Sequence, residues 1–406
     1  MKIAIITSGY MPVPATKGGA VETLVENIIY AKEKINDKNE IYVFTDYDSK
    51  ARKKSEKYTK SKFVYIKTPR ILEFLDLIIF NFFSKIRKKK KNFSYRYIMK
   101  RLFFINKVSK NLKKNNYDKV IIENNASLFS IIKLRKNYIK YKDQYYFHLH
   151  NEILQTFGNK ELIQGSKKII GISEYINKTV LEKLEKIDKS KMKILKNCID
   201  IERIDNDEFI NDEINEKIKL KSDDIKIVFV GRICEEKGIK ELIEAILNIN
   251  NPKIKLIIVG KSFYKTKVES IFEKELMQIT ENIKDNILFT GYIEHKEIYS
   301  VYKMADIVAL PSIWQEPAGL TIIEAAATGV PLITTDAGGI TEYVDSNSAI
   351  IIKNDENIVK NIEKAINKIL SDKNLRKKFY DNAIKIRELY SIEKYYKEFI
   401  KILEEK

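Results

Sequence analysis

Cysteine and histidine are scarce in this sequence. Its 406 residues include two cysteines, Cys198 and Cys234, and three histidines. Two isolated cysteines fit a reducing compartment better than a disulfide framework. The cysteines and histidines also lack the spacing of a zinc site. Neither a disulfide-stapled fold nor a zinc-dependent one is therefore expected.

Long apolar segments are missing as well. The stretch ILEFLDLIIFNFF, from Ile71 to Phe83, contains two acids and is too short to cross a bilayer. No signal peptide precedes the first strand-like segment, MKIAIITSGY. We therefore expect a cytoplasmic chain without a membrane span.

Short apolar runs recur along the whole chain between amphipathic segments. Continuous apolar runs are typical of parallel strands that are covered on both faces. The runs are KIAIIT, EIYVFT, KVIIE, KKIIGI, MKILK, IKIVFVG, IKLIIVG, NILFTG and DIVALP. A chain of 406 residues is long enough for two ordinary domains. The sequence thus predicts an α/β fold with two doubly wound sheets.

The acid-rich stretch between Ile201 and Asp224 is the expected break between the domains. We predict an N-terminal domain over residues 1–200, a linker over 201–224 and a C-terminal domain over 225–390. Residues 391–406 are predicted to form a last helix.

Two carboxylates flank a predicted helix start in the run PSIWQEPAGLTIIEAAATGVPLITTDAGGITE, from Pro311 to Glu342. A helix beginning near Pro317 would present a phosphate-binding tip, formed by the backbone N–H groups of Ala318, Gly319 and Leu320. Glu324 would lie roughly 9 to 12 Å inside the helix, where it could accept hydrogen bonds from a ribose. Glu316, outside the helix, could contact a sugar. The alternative is that such acids stabilise the helix dipole without any ligand.

A basic pair follows the strand-like run at Ile225. Gly231 ends the run, and Arg232 and Lys237 share the next loop. A planar guanidinium and an ammonium group placed together suit a diphosphate. The alternative is an ordinary solvated surface.

In the N-terminal half, a glycine pair and a histidine each follow a predicted strand and are candidate site residues. Gly18 and Gly19 precede an amphipathic helix and permit close backbone approach to a phosphate or an acceptor, although a tight turn explains them equally well. They lack the full Gly-x-Gly-x-x-Gly fingerprint of a dinucleotide site. His150 ends the strand-like segment YYFHLHNE, where open α/β sheets bind ligands. His148 lies deeper and is expected to be structural.

A divalent-metal site is the competing hypothesis for how the chain would bind phosphate groups. Asp46 and Asp48 form an Asp-x-Asp pair after the run IYVFT, and Asp205 and Asp207 form another in the linker. Short acids at these places more often belong to turns. We expect no divalent metal and no other cofactor.

The stretch from Ile225 to Glu342 resembles the donor-site signature of retaining glycosyltransferases of family 4, which have the GT-B fold. That family separates two glutamates by seven residues, as Glu316 and Glu324 are separated here. Positions Gly329, Pro331, Gly338, Gly339 and Glu342 also agree with the pattern. The family usually has an aromatic residue where this chain has Ala318, which implies a roomier pocket.

The resemblance implies a retaining, metal-independent transferase that uses a nucleoside-diphosphate sugar, with uridine the favoured base. Its two Rossmann-like domains would face each other across a cleft, and its last helix would cross back to the N-terminal domain. Arg232 and Lys237 would neutralise the diphosphate, and Gly18 and Gly19 would face the donor. His150 would contact the transferred sugar or align the acceptor. The acceptor would be a lipid-linked glycan or a polysaccharide in cell-surface glycan assembly.

The segment from Leu77 to Tyr117 is strongly basic, with thirteen Lys or Arg residues, no acid and many aromatic residues. We expect it to bind an anionic membrane surface, which would place the chain on the inner face of the cell membrane. A solvated helix pair is the alternative. Nucleic-acid binding is not expected, because no nucleic-acid motif accompanies the charge. Two other functions stay open for the whole chain: a nucleotide-sugar epimerase, or a basic binding module without catalysis.

Overall fold

The computed structural model describes residues 1–86, 97–205, 220–262, 270–283 and 285–405. These residues group into two compact units. The first consists of Met1–Lys196 and Tyr395–Lys406, and the second of Asn197–Lys394. Of the predicted linker 201–224, residues 201–205 form a short helix in the second unit, and residues 206–219 lie outside the described part.

The first unit contains a 7-stranded sheet in the order β3-β2-β1-β4-β5-β6-β7. Its strands are β1 Lys2–Ile6, β2 Glu40–Asp46, β3 Ser61–Ile66, β4 Lys119–Glu123, β5 Tyr145–Leu149, β6 Ile169–Gly171 and β7 Met192–Ile194. Its helices are α1 Ala20–Lys34, α2 Ser49–Ser55, α3 Arg70–Ile86, α4 Ile98–Lys114, α5 Ser130–Lys133, α6 Asn137–Lys140, α7 Lys160–Gln164 and α8 Glu174–Leu184.

The second unit contains a 6-stranded sheet in the order β10-β9-β8-β11-β12-β13. Its strands are β8 Ile225–Val230, β9 Ile254–Val259, β10 Ile287–Gly291, β11 Ile307–Leu310, β12 Leu332–Thr335 and β13 Ile350–Ile352. Its helices are α9 Ile201–Asp205, α10 Ile239–Ile249, α11 Ile271–Ile279, α12 Ile298–Lys303, α13 Leu320–Thr328, α14 Ile358–Ser371 and α15 Lys373–Leu389. Helix α16, Ile392–Glu404, leaves this unit and ends in the first.

All strand pairings of the described residues are parallel, and inner strands such as β1, β4, β5 and β11 are buried along almost their whole length. This burial explains why continuous Ile and Val runs, rather than alternating ones, mark the strands. The nine predicted runs and the segment at Tyr145 are all strands, so the predicted α/β class is confirmed. Strands β3, β12 and β13 were not predicted. Strand β3 is a partly exposed edge strand, and the other two have only four and three residues.

Helix α16 packs on the first unit, which confirms the predicted return of the chain. Lys168 donates a hydrogen bond to the carbonyl oxygen of Ile402 at 3.2 Å and pairs with the Glu405 carboxylate at 2.7 Å. Lys193 pairs with the same carboxylate at 2.7 Å. These charge-assisted contacts fix the C-terminal end of the helix against β6 and β7.

The strand order reverses once in each sheet, between β1 and β4 and between β8 and β11. Open α/β sheets bind ligands beyond the carboxyl ends of their strands at such points. The loops that leave β1, β4, β8 and β11 hold most of the predicted site residues.

Candidate functional site

Two glycines bring the loops of the second unit close together. Gly238 has a φ of +70°, and a Cβ there would lie 2.0 Å from the carbonyl oxygen of Pro311. Gly260 follows β9 with a φ of +141°, and its Cβ would lie 1.8 Å from the carbonyl oxygen of Gly231. Both contacts exclude a side chain. The sequence pattern points to Gly231 but not to these two positions.

Lys237 and Glu316 meet between these loops. The Nζ of Lys237 donates a hydrogen bond to Oε1 of Glu316, and Ser312 Oγ donates to the same oxygen at 2.9 Å. The Glu316 side chain is 11% exposed and that of Lys237 22%. The structure therefore unites two predicted site residues from distant segments. Ser312, which was not predicted, helps to hold the carboxylate.

Arg232 lies in the same loop as Lys237 but is much more exposed. Its side chain is 66% accessible, and Nη2 is 3.9 Å from Glu236 Oε2. An exposed pair of that length contributes little to stability. The guanidinium is therefore available to an anionic ligand.

The helix after β11 begins later than the sequence predicted. Gly319, with a φ of +97°, is its N-cap, and Leu320 is its first residue. Ala318 and Gly319 thus precede the helix instead of forming its first turn. Glu324 lies four residues beyond Leu320, about 6 Å along the axis, not 9 to 12 Å. The positive φ at Gly319 explains the difference, because that residue turns the chain into the helix.

Glu324 is buried and has a partner that the sequence did not reveal. His295 Nε2 lies 2.7 Å from Glu324 Oε1, although 29 residues separate them. The pKa of His295 is raised, mainly by the charge of the Glu324 carboxylate. No spacing rule links a histidine after β10 to a glutamate in α13, so only the fold could identify this pair.

The loop with Gly18 and Gly19 in the first unit has the backbone of a tight turn. Gly18 and Gly19 have φ values of +77° and +104°. A Cβ at Gly19 would lie 2.3 Å from Oε2 of Glu22, whose Oε1 accepts a hydrogen bond from Ser8 at 2.9 Å. Burial raises the pKa of Glu22. Tight local geometry is thus sufficient to require glycine at position 19, and the role of the loop towards a donor stays a prediction.

His150 and His148 share one buried carboxylate, Glu123 at the end of β4. His150 Nε2 lies 3.0 Å and His148 Nδ1 3.1 Å from Glu123 Oε2. Burial lowers the pKa of His150 to about 4. Burial would raise the pKa of Glu123, but the two imidazoles outweigh it and lower that pKa to about 2. At neutral pH His150 is therefore a neutral imidazole beside an ionised Glu123. The sequence pattern does not single out Glu123, which looks like the polar end of a strand.

The same three side chains have the composition of a metal site, since their ligand atoms lie within 4.8 Å of one another. A metal-bound histidine almost always donates its other ring N–H to a partner. Among the described residues, His148 Nε2 and His150 Nδ1 are buried without a hydrogen-bond partner. If a metal bound the ring nitrogens that face Glu123, both histidines would carry their protons on the other nitrogens, and these two buried N–H donors would be unpaired. If both histidines instead donate to Glu123, the other two nitrogens are acceptors without a partner. The geometry therefore favours the hydrogen-bonded network.

The Asp-x-Asp pair of the sequence has structural partners. Asp46 Oδ2 is 2.7 Å from Lys100 Nζ, and Asp48 Oδ1 accepts the N–H of Ala51 at 2.9 Å as the N-cap of α2. Asp205 pairs with Arg387 at 2.9 Å, and Asp207 lies outside the described residues. These contacts satisfy the acids without an ion.

Comparison with known proteins identifies relatives of both units. Residues 210–386 match the family model described as glycosyl transferases group 1. The chain is 25% identical over 386 residues to spore coat protein SA of Bacillus subtilis (strain 168), which covers 93% of this chain and 92% of that protein. It is 24% identical over 396 residues to the putative glycosyltransferase YtcC of the same strain, with coverages of 95% and 87%.

Solved structures share the architecture. The crystal structure of Anabaena Alr3699/HepE in complex with UDP-glucose superposes with a TM-score of 0.71, at 17% identity and with 99% of each chain covered. At that identity the match establishes the fold, in agreement with the two parallel sheets.

Proposed function

We propose that this chain acts as a group 1 glycosyltransferase of the GT-B fold, the family and the fold that its relatives indicate. Within that family, we propose that it is a retaining, metal-independent hexosyltransferase. Its donor is a nucleoside-diphosphate sugar, with UDP favoured, and its acceptor is a lipid-linked glycan or a polysaccharide of the cell surface. One observation carries the proposal. Lys237, Ser312 and Glu316 converge at the carboxyl ends of β8 and β11, and the accessible Arg232 lies in the same loop as Lys237.

The proposed roles follow from charge and position. Arg232 and Lys237 bind the diphosphate, with the amide of Leu320 at the tip of α13. A diphosphate oxygen replaces Glu316 as the anionic partner of Lys237, which frees Glu316 for the hydroxyls of the donor sugar. Glu324 accepts hydrogen bonds from the ribose. Gly18, Gly19 and His150 keep their predicted roles towards donor and acceptor.

Retention is proposed to occur by front-face attack. The bond between the anomeric carbon and the phosphate oxygen breaks as the acceptor oxygen bonds to the same face of that carbon. The acceptor proton passes to the departing phosphate oxygen, so no side chain acts as a nucleophile. Arg232 and Lys237 stabilise the charge that grows on the leaving diphosphate.

Donor binding tests this function directly. Thermal shift with UDP-, GDP- and CDP-sugars at matched concentrations should show stabilisation by one nucleotide class, because a ligand of the native state raises the unfolding free energy. EDTA should change neither the shift nor product formation. Product is detected by mass spectrometry with acceptor present and by NMR with donor alone. A chelator-sensitive shift would contradict metal independence, and an epimerised donor would replace the transferase with an epimerase.

An anionic membrane surface is the second proposed partner. Helix α3 exposes Ile71, Phe74, Leu75 and Ile78 at helical spacing, with accessibilities of 68, 61, 38 and 49%. On its other side Asp76 accepts the N–H groups of Met99 and Lys100 at 2.7 and 3.0 Å, which joins α3 to the basic helix α4. Residues 87–96 of the predicted basic segment lie outside the described part. Among the described residues no helix is long and apolar enough to span a bilayer.

Replacing both Phe74 and Ile78 by aspartate should weaken binding to vesicles of phosphatidylcholine and phosphatidylglycerol at least about tenfold. Each apolar side chain contributes roughly 1.5 to 3 kcal/mol when it leaves water, and the basic residues add about 1 kcal/mol each near an anionic surface. Co-sedimentation measures the change. Ile271→Asp, at an 88% exposed position of the second unit, is the matched control. Equal sedimentation of all three proteins would refute this surface, as would equal binding to pure phosphatidylcholine.

A further inference from the structure

A chain of three side chains leads to the buried Glu324. Arg203, in α9, has its Nη1 3.1 Å from His295 Nδ1. His295 Nε2 lies 2.7 Å from Glu324 Oε1. Arg203 is itself held by Asp200, whose Oδ2 is 2.8 Å from its Nε. The segment that follows Asn197 is thereby connected to α13 through one imidazole.

The chemistry of the three groups assigns the proton on His295. A guanidinium can only donate hydrogen bonds, so Nδ1 of His295 must accept from Arg203. In the neutral ring the proton is then on Nε2, which donates it to Glu324. Arg203 thus selects the one neutral tautomer that can bond to the carboxylate.

The position of the carboxylate depends on this bond. The Glu324 side chain is only 6% exposed, whereas that of His295 is 48% exposed. A buried carboxylate requires a hydrogen-bond partner, and holding it in one rotamer costs conformational entropy. The hydrogen bond occupies one lone pair of Oε1, while Oε2 and the remaining lone pair of Oε1 can accept other donors.

We propose that His295 is a positioning residue of the nucleotide site, which orients the Glu324 carboxylate for the ribose hydroxyls, and that Arg203 holds the imidazole in the required tautomer. This inference rests on the proposed function, in which Glu324 binds ribose. It adds two residues that make no direct contact with the nucleotide.

A different role for His295 would have the opposite effect. If the imidazole merely occupied the carboxylate until a ribose displaced it, removing the ring would strengthen nucleotide binding. Under the positioning role, its removal weakens binding. The sign of the change therefore separates the two.

Calorimetric titration with UDP and 2′,3′-dideoxy-UDP tests the proposal in the full chain. His295→Ala should weaken UDP binding about tenfold, the range expected for one hydrogen bond to a charged group. Binding of dideoxy-UDP, which has no ribose hydroxyls, should change less than about twofold. His295→Gln should retain most of the affinity, because its amide donates and accepts as the neutral ring does. Arg376→Ala, which removes an exposed pair with Asp306 at 3.4 Å, is the matched control.

Three results would overturn the positioning role: tighter UDP binding by His295→Ala, an equal loss for both nucleotides, or no change. If the unaltered chain binds UDP no better than dideoxy-UDP, the ribose role of Glu324 fails instead.

The tautomer of His295 is tested separately, without ligand, by ¹⁵N NMR of the imidazole. Because Glu324 raises the pKa of His295, the spectra are recorded as a pH titration, and the tautomer is read on the alkaline plateau, where the ring is neutral. The Nε2–H form should predominate and decline in Arg203→Ala. An Nδ1–H form in the unaltered chain would contradict the assignment.

Discussion

Replacing Lys237 by alanine is expected to lower kcat/KM for sugar transfer by about 10²- to 10³-fold. Removing a single group that stabilises developing negative charge typically costs about 2.7 to 4 kcal/mol of transition-state stabilisation. Lys237 is 22% exposed and donates to Glu316, whose carboxylate Ser312 also contacts, so water replaces its ammonium poorly. Most of the loss should appear in kcat, because the charge on the diphosphate grows as the glycosidic bond breaks.

Steady-state kinetics with the donor identified by thermal shift measure this effect. Lys240→Ala is the matched control, since Lys240 lies three residues further and pairs with Glu275 at 3.2 Å on the exposed side of α10. The control should stay within about twofold of the unaltered chain, as surface pairs contribute little. A loss of less than about threefold in Lys237→Ala would remove the ammonium from the proposed mechanism.

Replacing Glu123 by alanine should destabilise the first unit by about 2 to 4 kcal/mol. The change leaves two imidazoles in a buried site without their common acceptor, and breaking a buried hydrogen-bonded charge network is costly. Hydrogen exchange in peptides from β4 and β5 reports the local opening free energy of this unit. Glu182→Ala, on the exposed side of α8, should leave exchange unchanged. Exchange in Glu123→Ala as slow as in the unaltered chain would show that the network does not stabilise the fold.

The acid dependence of stability in the unaltered chain and in Glu123→Gln provides a second readout. The folded pKa of His150 is about 4, below its ordinary 6.5, so between these values the unfolded chain binds the extra proton. Stability is therefore complete above about pH 6.5 and falls as pH decreases towards 4. The Glu123 pKa of about 2, below its ordinary 4.5, adds a further loss between those values. In Glu123→Gln this second phase should disappear, because the amide does not titrate.

The second unit illustrates how far local sequence determines a site. Lys237 and Glu316 were predicted because each follows an apolar run and because both match the donor-site signature of the retaining glycosyltransferases of family 4. Gly238 and Gly260 were not predicted, because what excludes a side chain there is a carbonyl oxygen from another loop. A Cβ at these positions would lie 2.0 and 1.8 Å from that oxygen. The start of α13 was misplaced by three residues, since the turn at Gly319 outweighed the helix-starting preference of Pro317.

Residues that act through another side chain were the hardest to find. Glu123 and His295 have no motif of their own, and each becomes significant only through the partner that folding places beside it, His150 or Glu324. The fold class needed less information. Nine Ile- and Val-rich runs were sufficient to predict two parallel sheets, and only strands that were short or partly exposed, such as β13, were missed.

We propose that Arg232, Lys237 and the tip of α13 bind a diphosphate without a metal ion. A crystal structure of the chain grown with UDP and EDTA would show where the nucleotide binds. We expect the β-phosphate within hydrogen-bonding distance of Lys237 Nζ and of the Arg232 guanidinium, with the ribose hydroxyls on Glu324. Nucleotide bound elsewhere, or phosphates that contact neither cationic side chain, would contradict it.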